Sequence, residues 1–324
     1  MYAGNQSTVT EFILLGLSED PLVQIVLFHM FLVAYITTLA GNLLLILAVR
    51  TDKRLHNSMY LFLANLSFLD ICYTSVIVPK MLVDLLYLKK SISYIGCAFQ
   101  VFFYLFLGET ECILLALMAY DRYVAICHPL RYNMMMNTTV CLWMISTSWW
   151  TACMISSVDI YFVLSLTYCG PNTINHFFCE VPLLMQLSCS DTSSVNILKL
   201  MGSAILLFIP FLLILISYFR IMVAIARIPT GKYKSFSACS SHLVAVIILY
   251  GTAMFMYVRP EHFAKEGTDK LVAVFYTVIT PMINPLIYSL RNKDVHRAMK
   301  RALRAGQMEL SSLPISRHKF AMLL

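Results

Sequence analysis

Seven stretches of this chain are each long and apolar enough to cross a lipid bilayer, and that property leaves few folds open. A hydrocarbon core about 30 Å thick needs roughly 20 predominantly apolar residues per spanning helix. Such runs extend over Val23–Val49, Met59–Leu86, Ile95–Met118, Val140–Leu164, Ile197–Ala226, Ser237–Val258 and Leu271–Leu290. Within lipid every backbone polar group must be satisfied internally, so only helices and closed barrels span. Barrel strands run to about 10 residues and alternate in polarity, whereas these runs are longer and apolar nearly all round. The predicted fold class is all-α, a seven-transmembrane helix bundle over residues 23–290. Residues 1–22 then form an extracellular N-terminus, and residues 291–324 a cytoplasmic helix and tail. With 59% hydrophobic and 13% charged residues and a mean hydropathy of +0.75, the chain is too apolar for a soluble domain.

The basic residues orient the bundle. Arg50, Lys53, Arg54, Arg122, Arg131, Arg220, Arg227, Lys232, Lys234 and the series from Arg291 to Lys319 gather on one side. Lysine and arginine favour the cytoplasmic side, which predicts a plasma-membrane protein with its N-terminus outside. The opposite side collects acids such as Glu180, Asp191, Glu261 and Glu266. The net charge of +7 is therefore a bias toward anionic inner-leaflet lipid and calls for no nucleic acid. The first residues lack a basic n-region and cleavage site, so the first helix is expected to act as an uncleaved signal anchor. Asn5-Gln6-Ser7 is a glycosylation sequon on the outer side, and the orientation excludes Asn137-Thr138-Thr139.

Four of the ten cysteines map outside: Cys97, Cys169, Cys179 and Cys189. An oxidising compartment favours disulfides, and four cysteines allow three pairings. Two bridges would pin the long loop from Tyr168 to Asn196 as a lid. The other six suit roles as small buried hydrophobes, and the absence of cysteine after Leu290 excludes palmitoylation there.

At the end of the third run stands Met118-Ala119-Tyr120-Asp121-Arg122-Tyr123-Val124-Ala125-Ile126-Cys127. Other segments follow in order: Gly41-Asn42, Leu55-His56, Met59-Tyr60, Pro79-Lys80-Met81-Leu82, Ser217-Tyr218, Lys234 to His242, and Pro281 to Asn292. This ordered set resembles the odorant receptors, a branch of the rhodopsin-like G-protein-coupled receptors, over about residues 5 to 305. Three departures stand out. Ser58 takes the place of a usual proline, Leu249 that of a common phenylalanine, and the third inner loop is about two residues short.

The resemblance implies a receptor that binds a small volatile odorant in the outer half of the bundle, activates a G protein of the Gs or olfactory type, and raises cAMP. It implies no enzyme activity and no cofactor beyond a possible sodium ion. Asp121, Arg122, Tyr123, Tyr218, His242, Asn284, Pro285 and Tyr288 would serve activation and coupling, with Arg122 held by Asp121 at rest and braced by Tyr218 and Tyr288 once the sixth helix swings. It also pairs Cys97 with Cys179, which leaves Cys169 for Cys189.

Intramembrane ionisable groups are functional candidates by default. Asp70 and Glu111 lie at mid-depth and must share a proton, a cation or hydrogen bonds, with Asn42, Asn65 and Asn284 as polar partners. The resemblance places this pair where related receptors hold sodium, and a proton-sharing pair is the competing reading. Counting back from Arg122 at 3.6 residues per turn puts Tyr104, Leu105, Gly108, Glu109 and Cys112 on one stripe. The family pattern adds Gly202, Ser203, Leu206, Tyr250, Ala253, Tyr257 and Thr277 to a pocket wall, where plain helix packing is the alternative role. Glu109 could pair with an amine, accept from an alcohol, or be structural. His176-Phe177-Phe178-Cys179-Glu180 invites a metal reading that a Cys179 disulfide would displace. After Asn292, basic residues interleaved with Val295, Ala298, Met299, Ala302 and Leu303 predict a short amphipathic helix on the membrane surface.

Rival classes fare poorly. No phosphate loop, zinc-ligand helix or acid and base pair suggests an enzyme, and the unequal spans lack the inverted repeats of most transporters. A receptor of the same fold used outside olfaction is the remaining alternative.

Overall fold

The computed structural model describes residues 9–169, 171–227, 232–257 and 266–312. Seven long helices form the bundle. The first four are Pro21–Thr51, Ser58–Leu86, Tyr94–Cys127 and Thr138–Leu164. The fifth joins Ser193–Ser203 to Ile209–Arg227 through a π-helical turn, Ala204–Phe208. The sixth is Lys232–Tyr257, and the seventh runs from Glu266–Val274 through a second π turn, Phe275–Ile279, into Thr280–Arg291. An eighth helix, Lys293–Ser312, follows.

Hydropathy locates only the apolar middle of each helix, and the helices outrun it. The third continues from Met118 through Asp121, Arg122 and Tyr123 to Cys127, because polar residues at a helix end reach water without breaking the backbone ladder. Asp20, Asn57, Ser93 and Asn137 each accept a hydrogen bond from a first-turn N–H and so start the first four helices. Asn137, excluded above as a sequon, is thus a helix cap. Five of the seven, Pro21–Thr51, Ser58–Leu86, Tyr94–Cys127, Ile205–Arg227 and Gly267–Ser289, are long and apolar enough by themselves to cross a membrane. In the sixth the apolar stretch is shorter, His242–Met256. The fourth dilutes its apolar residues with serines, threonines and Asp159.

The third helix is the central post, packed against the second, fourth, fifth and sixth. The first packs against the second, seventh and eighth. A Cβ on Gly41 would stand 3.3 Å from Cγ of Pro285, so glycine permits the first and seventh helices to approach there. Large apolar side chains such as Leu22, Val33, Trp143, Trp150 and Phe219 point outward, the pattern a bilayer requires and water penalises.

The all-α expectation needs one addition. A small sheet of order β2-β1-β3 caps one end, with β1 (Glu11–Leu14) antiparallel to β2 (Ser91–Ser93) and parallel to β3 (Thr173–Ile174). Strands this short carry little sequence signal, because their partners are distant loops. Disulfides Cys97–Cys179 and Cys169–Cys189 tie the loop after the fourth helix into a lid at this end, where the side chain of Gln100 accepts from the Cys179 N–H at 2.8 Å. Lys270 adds a clasp by donating to the Gly16 carbonyl and to Asn175 Oδ1, both at 2.7 Å. At the opposite end the eighth helix starts on Asn292, whose side chain accepts from Asp294 and Val295 N–H groups. Its apolar residues Val295, Ala298 and Ala302 are buried, and Arg301 pairs with Asp52. Asn5 lies outside the described residues.

Candidate functional site

Beneath the lid, residues of the second to seventh helices line an open cavity of about 1110 Å³, a figure that includes the solvent space at its mouth. Of the residues expected in its wall, Tyr104, Leu105, Gly108, Glu109, Cys112, Gly202, Leu206 and Ala253 line it. The stripe on the third helix is reproduced in full, because that helix is regular and 3.6-residue counting holds along it.

Two expected wall residues do not line the cavity. Thr277 is fully buried and returns its hydroxyl to the Ala273 carbonyl at 2.7 Å, while Tyr276 faces the cavity instead. Both sit in the π turn Phe275–Ile279, where the wider turn shifts the register that helical counting assumes. Tyr250 is 1% exposed and donates to the Cys112 carbonyl at 3.1 Å, so it ties the sixth helix to the third. The side chains of Ser203 and Tyr257 lie outside what the structure describes.

Sequence counting missed Tyr73, Glu111, Asp159, Val163, Val181, Val195, Leu207, Leu249 and Thr252, which also line the cavity. Val181 comes from the lid and Leu207 from the other π turn, neither of which periodicity can orient. Asp159 could have been found as a lone acid in an apolar run. Glu109 lies beside it and accepts from Ser156 Oγ at 2.7 Å.

The acid pair at mid-depth stays close enough for the Glu111 charge to act on Asp70, while the two carboxyls have different surroundings. Both oxygens of Asp70 accept from the Asn284 amide, at 3.1 and 3.2 Å. Glu111 is 4% exposed and lines the cavity. Asn42 donates to the carbonyls of Thr38 and Pro281, while the carbonyl oxygens of Asn42 and Asn284 are buried without a hydrogen-bond partner among the described residues. Asn65, expected near the acids, instead accepts from Trp149 Nε1 at 2.9 Å.

Toward the end that carries the eighth helix, Arg122 reaches Asp121 at 3.4 Å. One Asp121 oxygen also accepts from Ser58 Oγ at 2.7 Å and from the Tyr132 hydroxyl at 2.9 Å. The departure at Ser58 thus adds a donor that proline would lack. Among the described residues, no hydrogen bond joins Tyr218 or Tyr288 to Arg122 in this conformation. Tyr218 meets His242 Nδ1 at 2.7 Å, and His242 Nε2 donates to the Leu115 carbonyl at 3.0 Å, since a carbonyl can only accept. The buried Tyr288 hydroxyl has no hydrogen-bond partner among the described residues. Tyr123 turns away toward His128, at 3.1 Å. These contacts hold the fifth and sixth helices against the third.

Ser58→Ala should therefore loosen the hold on Asp121. One net hydrogen bond of about 1 kcal/mol corresponds to roughly a fivefold shift between closed and open states. Ligand-free signalling is expected to rise by about that factor, and unchanged basal output at equal surface density would remove Ser58 from the latch.

In the lid, Cys179 is held in its disulfide, so its sulfur is not free for a metal. His176 stacks on Phe177 at 4.6 Å and meets Phe178 edge-on at 4.7 Å. Burial, with the nearby Lys270 charge, lowers its imidazole to about 3, so it is a neutral packing residue at physiological pH.

A seven-helix bundle with a lidded cavity at one end and an arginine latch at the other defines the class of rhodopsin-like receptors. The fold matches the crystal structure of squid rhodopsin with a TM-score of 0.70 over 88% of this chain and 86% of that one, at 18% identity. The family model for olfactory receptors matches residues 31–305, and the chain belongs to that family. It is 46% identical to human olfactory receptor 10A7 over 94% of this chain and 96% of the relative. It is 51% identical to the dog olfactory receptor-like protein OLF1 over 93% and 97%. The protein is a multi-pass membrane receptor of the odorant-sensing, G-protein-coupled kind, and not an enzyme.

Proposed function

We propose that this receptor binds small volatile molecules in the cavity beneath the lid and activates a Gs or olfactory-type G protein, raising cAMP. The lidded end then faces the outside and the eighth helix the cytoplasm. The observation that carries this reading is a mainly apolar cavity wedged between the third helix and the sixth, since ligand contacts there can bias the sixth helix, whose His242 is latched to Tyr218 and the Leu115 carbonyl. Burial supplies affinity for a small ligand and a few polar groups orient it. Asp121, Arg122, Tyr218, His242 and Tyr288 form the switch in this account, with Asn284 and Pro285 allowing the seventh helix to adjust. Ligand-stimulated nucleotide exchange on a purified Gs-type protein tests the reading, because a transporter would give flux without exchange.

Asp70 has the oxygens of Asn42 and Asn284 in the same polar layer, and orphaned buried acceptors of this kind fit a sodium ion. Bound there, the ion would neutralise Asp70 and favour the closed bundle. Sodium is therefore expected to lower agonist potency severalfold in the wild type and to have no effect in Asp70→Asn. Equal sodium sensitivity in both would leave the carboxyl with a shared proton instead.

A further inference from the structure

We infer that the cavity is built for a cationic ligand, a protonated aliphatic amine whose ammonium is held among Glu109, Glu111 and Asp159; the inference rests on the receptor reading above. Three carboxyl side chains line one cavity, and no lysine, arginine or histidine shares its lining among the described residues. Among the described residues, the neutral Ser156 hydroxyl is the one hydrogen-bond partner of Glu109. Asp159 and Glu111 have neither a hydrogen-bond donor nor a basic partner among the described residues, and Glu111 is 4% exposed. Glu111 is buried and Glu109 and Asp159 are half-buried, and polar groups taken out of water are ordinarily paired. A partner that arrives from outside, and brings donors with positive charge, completes the set.

The rest of the lining suits the same ligand. The rings of Tyr73 and Tyr276 face the cavity, and aromatic faces attract cations. Gly108 lies against the Tyr73 ring, whose edge is 3.7 Å from where a Cβ would stand. The aliphatic residues Leu105, Leu206 and Ala253 on the lining would take the alkyl body of the ligand. An alcohol of equal shape could donate one hydrogen bond and supply no charge, so the pocket should prefer the amine.

The test uses the purified full-length receptor and two matched pairs of probes, n-pentylamine against n-pentanol and cyclohexylamine against cyclohexanol. Thermal unfolding is followed as each probe is titrated. The amines are expected to raise the melting temperature at concentrations at least about tenfold below their alcohols, as loss of a charge-assisted hydrogen bond implies. That preference should collapse in Asp159→Asn and in Glu111→Gln. Equal stabilisation by amine and alcohol overturns the inference, as does an amine preference that survives both substitutions. The wild-type comparison decides alone if a variant does not accumulate. Nucleotide exchange on the G protein is read in parallel. Amine binding without exchange would keep the pocket chemistry and overturn the receptor reading, whereas exchange driven by alcohols alone would do the reverse.

Discussion

Arg122→Ala is expected to reach the cell surface in near-normal amount and to lose its agonist-driven cAMP response. Arg122 has Asp121 as its one ion-pair partner among the described residues, with a side chain 15% exposed. Its removal leaves one oxygen of Asp121 still accepting from Ser58 and Tyr132, which offsets part of the cost of taking the counter-charge from a buried carboxylate. The closed state survives, but the guanidinium is gone when the bundle opens. A charge-assisted contact at a partner interface is worth about 1.5–3 kcal/mol, a loss of roughly tenfold to more than a hundredfold in coupling. Arg122→Lys, which keeps charge but not the planar fork, should fall between. Surface density measured beside cAMP separates coupling from expression, and an undiminished response in Arg122→Ala would dismiss the assigned role.

The second large effect concerns the lid. Cys97→Ser is expected to sharply reduce surface expression, and Cys169→Ser to reduce it less. The Cys97–Cys179 bridge closes a separation of 82 residues, the Cys169–Cys189 bridge one of 20. Chain-entropy reasoning gives the longer loop the larger stabilisation, within roughly 2–5 kcal/mol for a native bridge. Burial points the same way. Cys97 and Cys179 are 1% and 0% exposed, and the freed thiol would sit next to the Gln100 clamp that holds the Cys179 N–H. Cys169 and Cys189 are exposed, where water can replace what is lost. A reversal of this order, measured by surface labelling of matched variants, would mean that the shorter bridge anchors the lid.

Legibility followed local regularity. The stripe from Tyr104 to Cys112 could be counted along one unbroken helix, and the structure reproduces it. The family pattern put Thr277 on the wall where Tyr276 stands, because a π turn adds backbone without announcing itself in residue type. Counting failed at Val181 because a lid residue is oriented by disulfides and strand pairing, not by periodicity. Tyr250 was assigned to the wall from family pattern, yet its hydroxyl is drawn to the Cys112 carbonyl, a contact that depends on how close the sixth helix stands to the third.

The sequence by itself determined the number of membrane helices and their approximate limits, because hydropathy and length are properties of a segment alone. Its ordered motifs also carried the family, and the lysine and arginine bias carried the proposed orientation. Only the tertiary structure decided which acids share a space. Glu109 and Glu111 sit on the third helix, and Asp159 on the fourth. Nothing in their spacing places them around one cavity, since that depends on the packing angle and rotation of separate helices. The same reason explains Ser58. As a residue it is only a substitution for proline, and it became a partner of Asp121 when the second helix met the third.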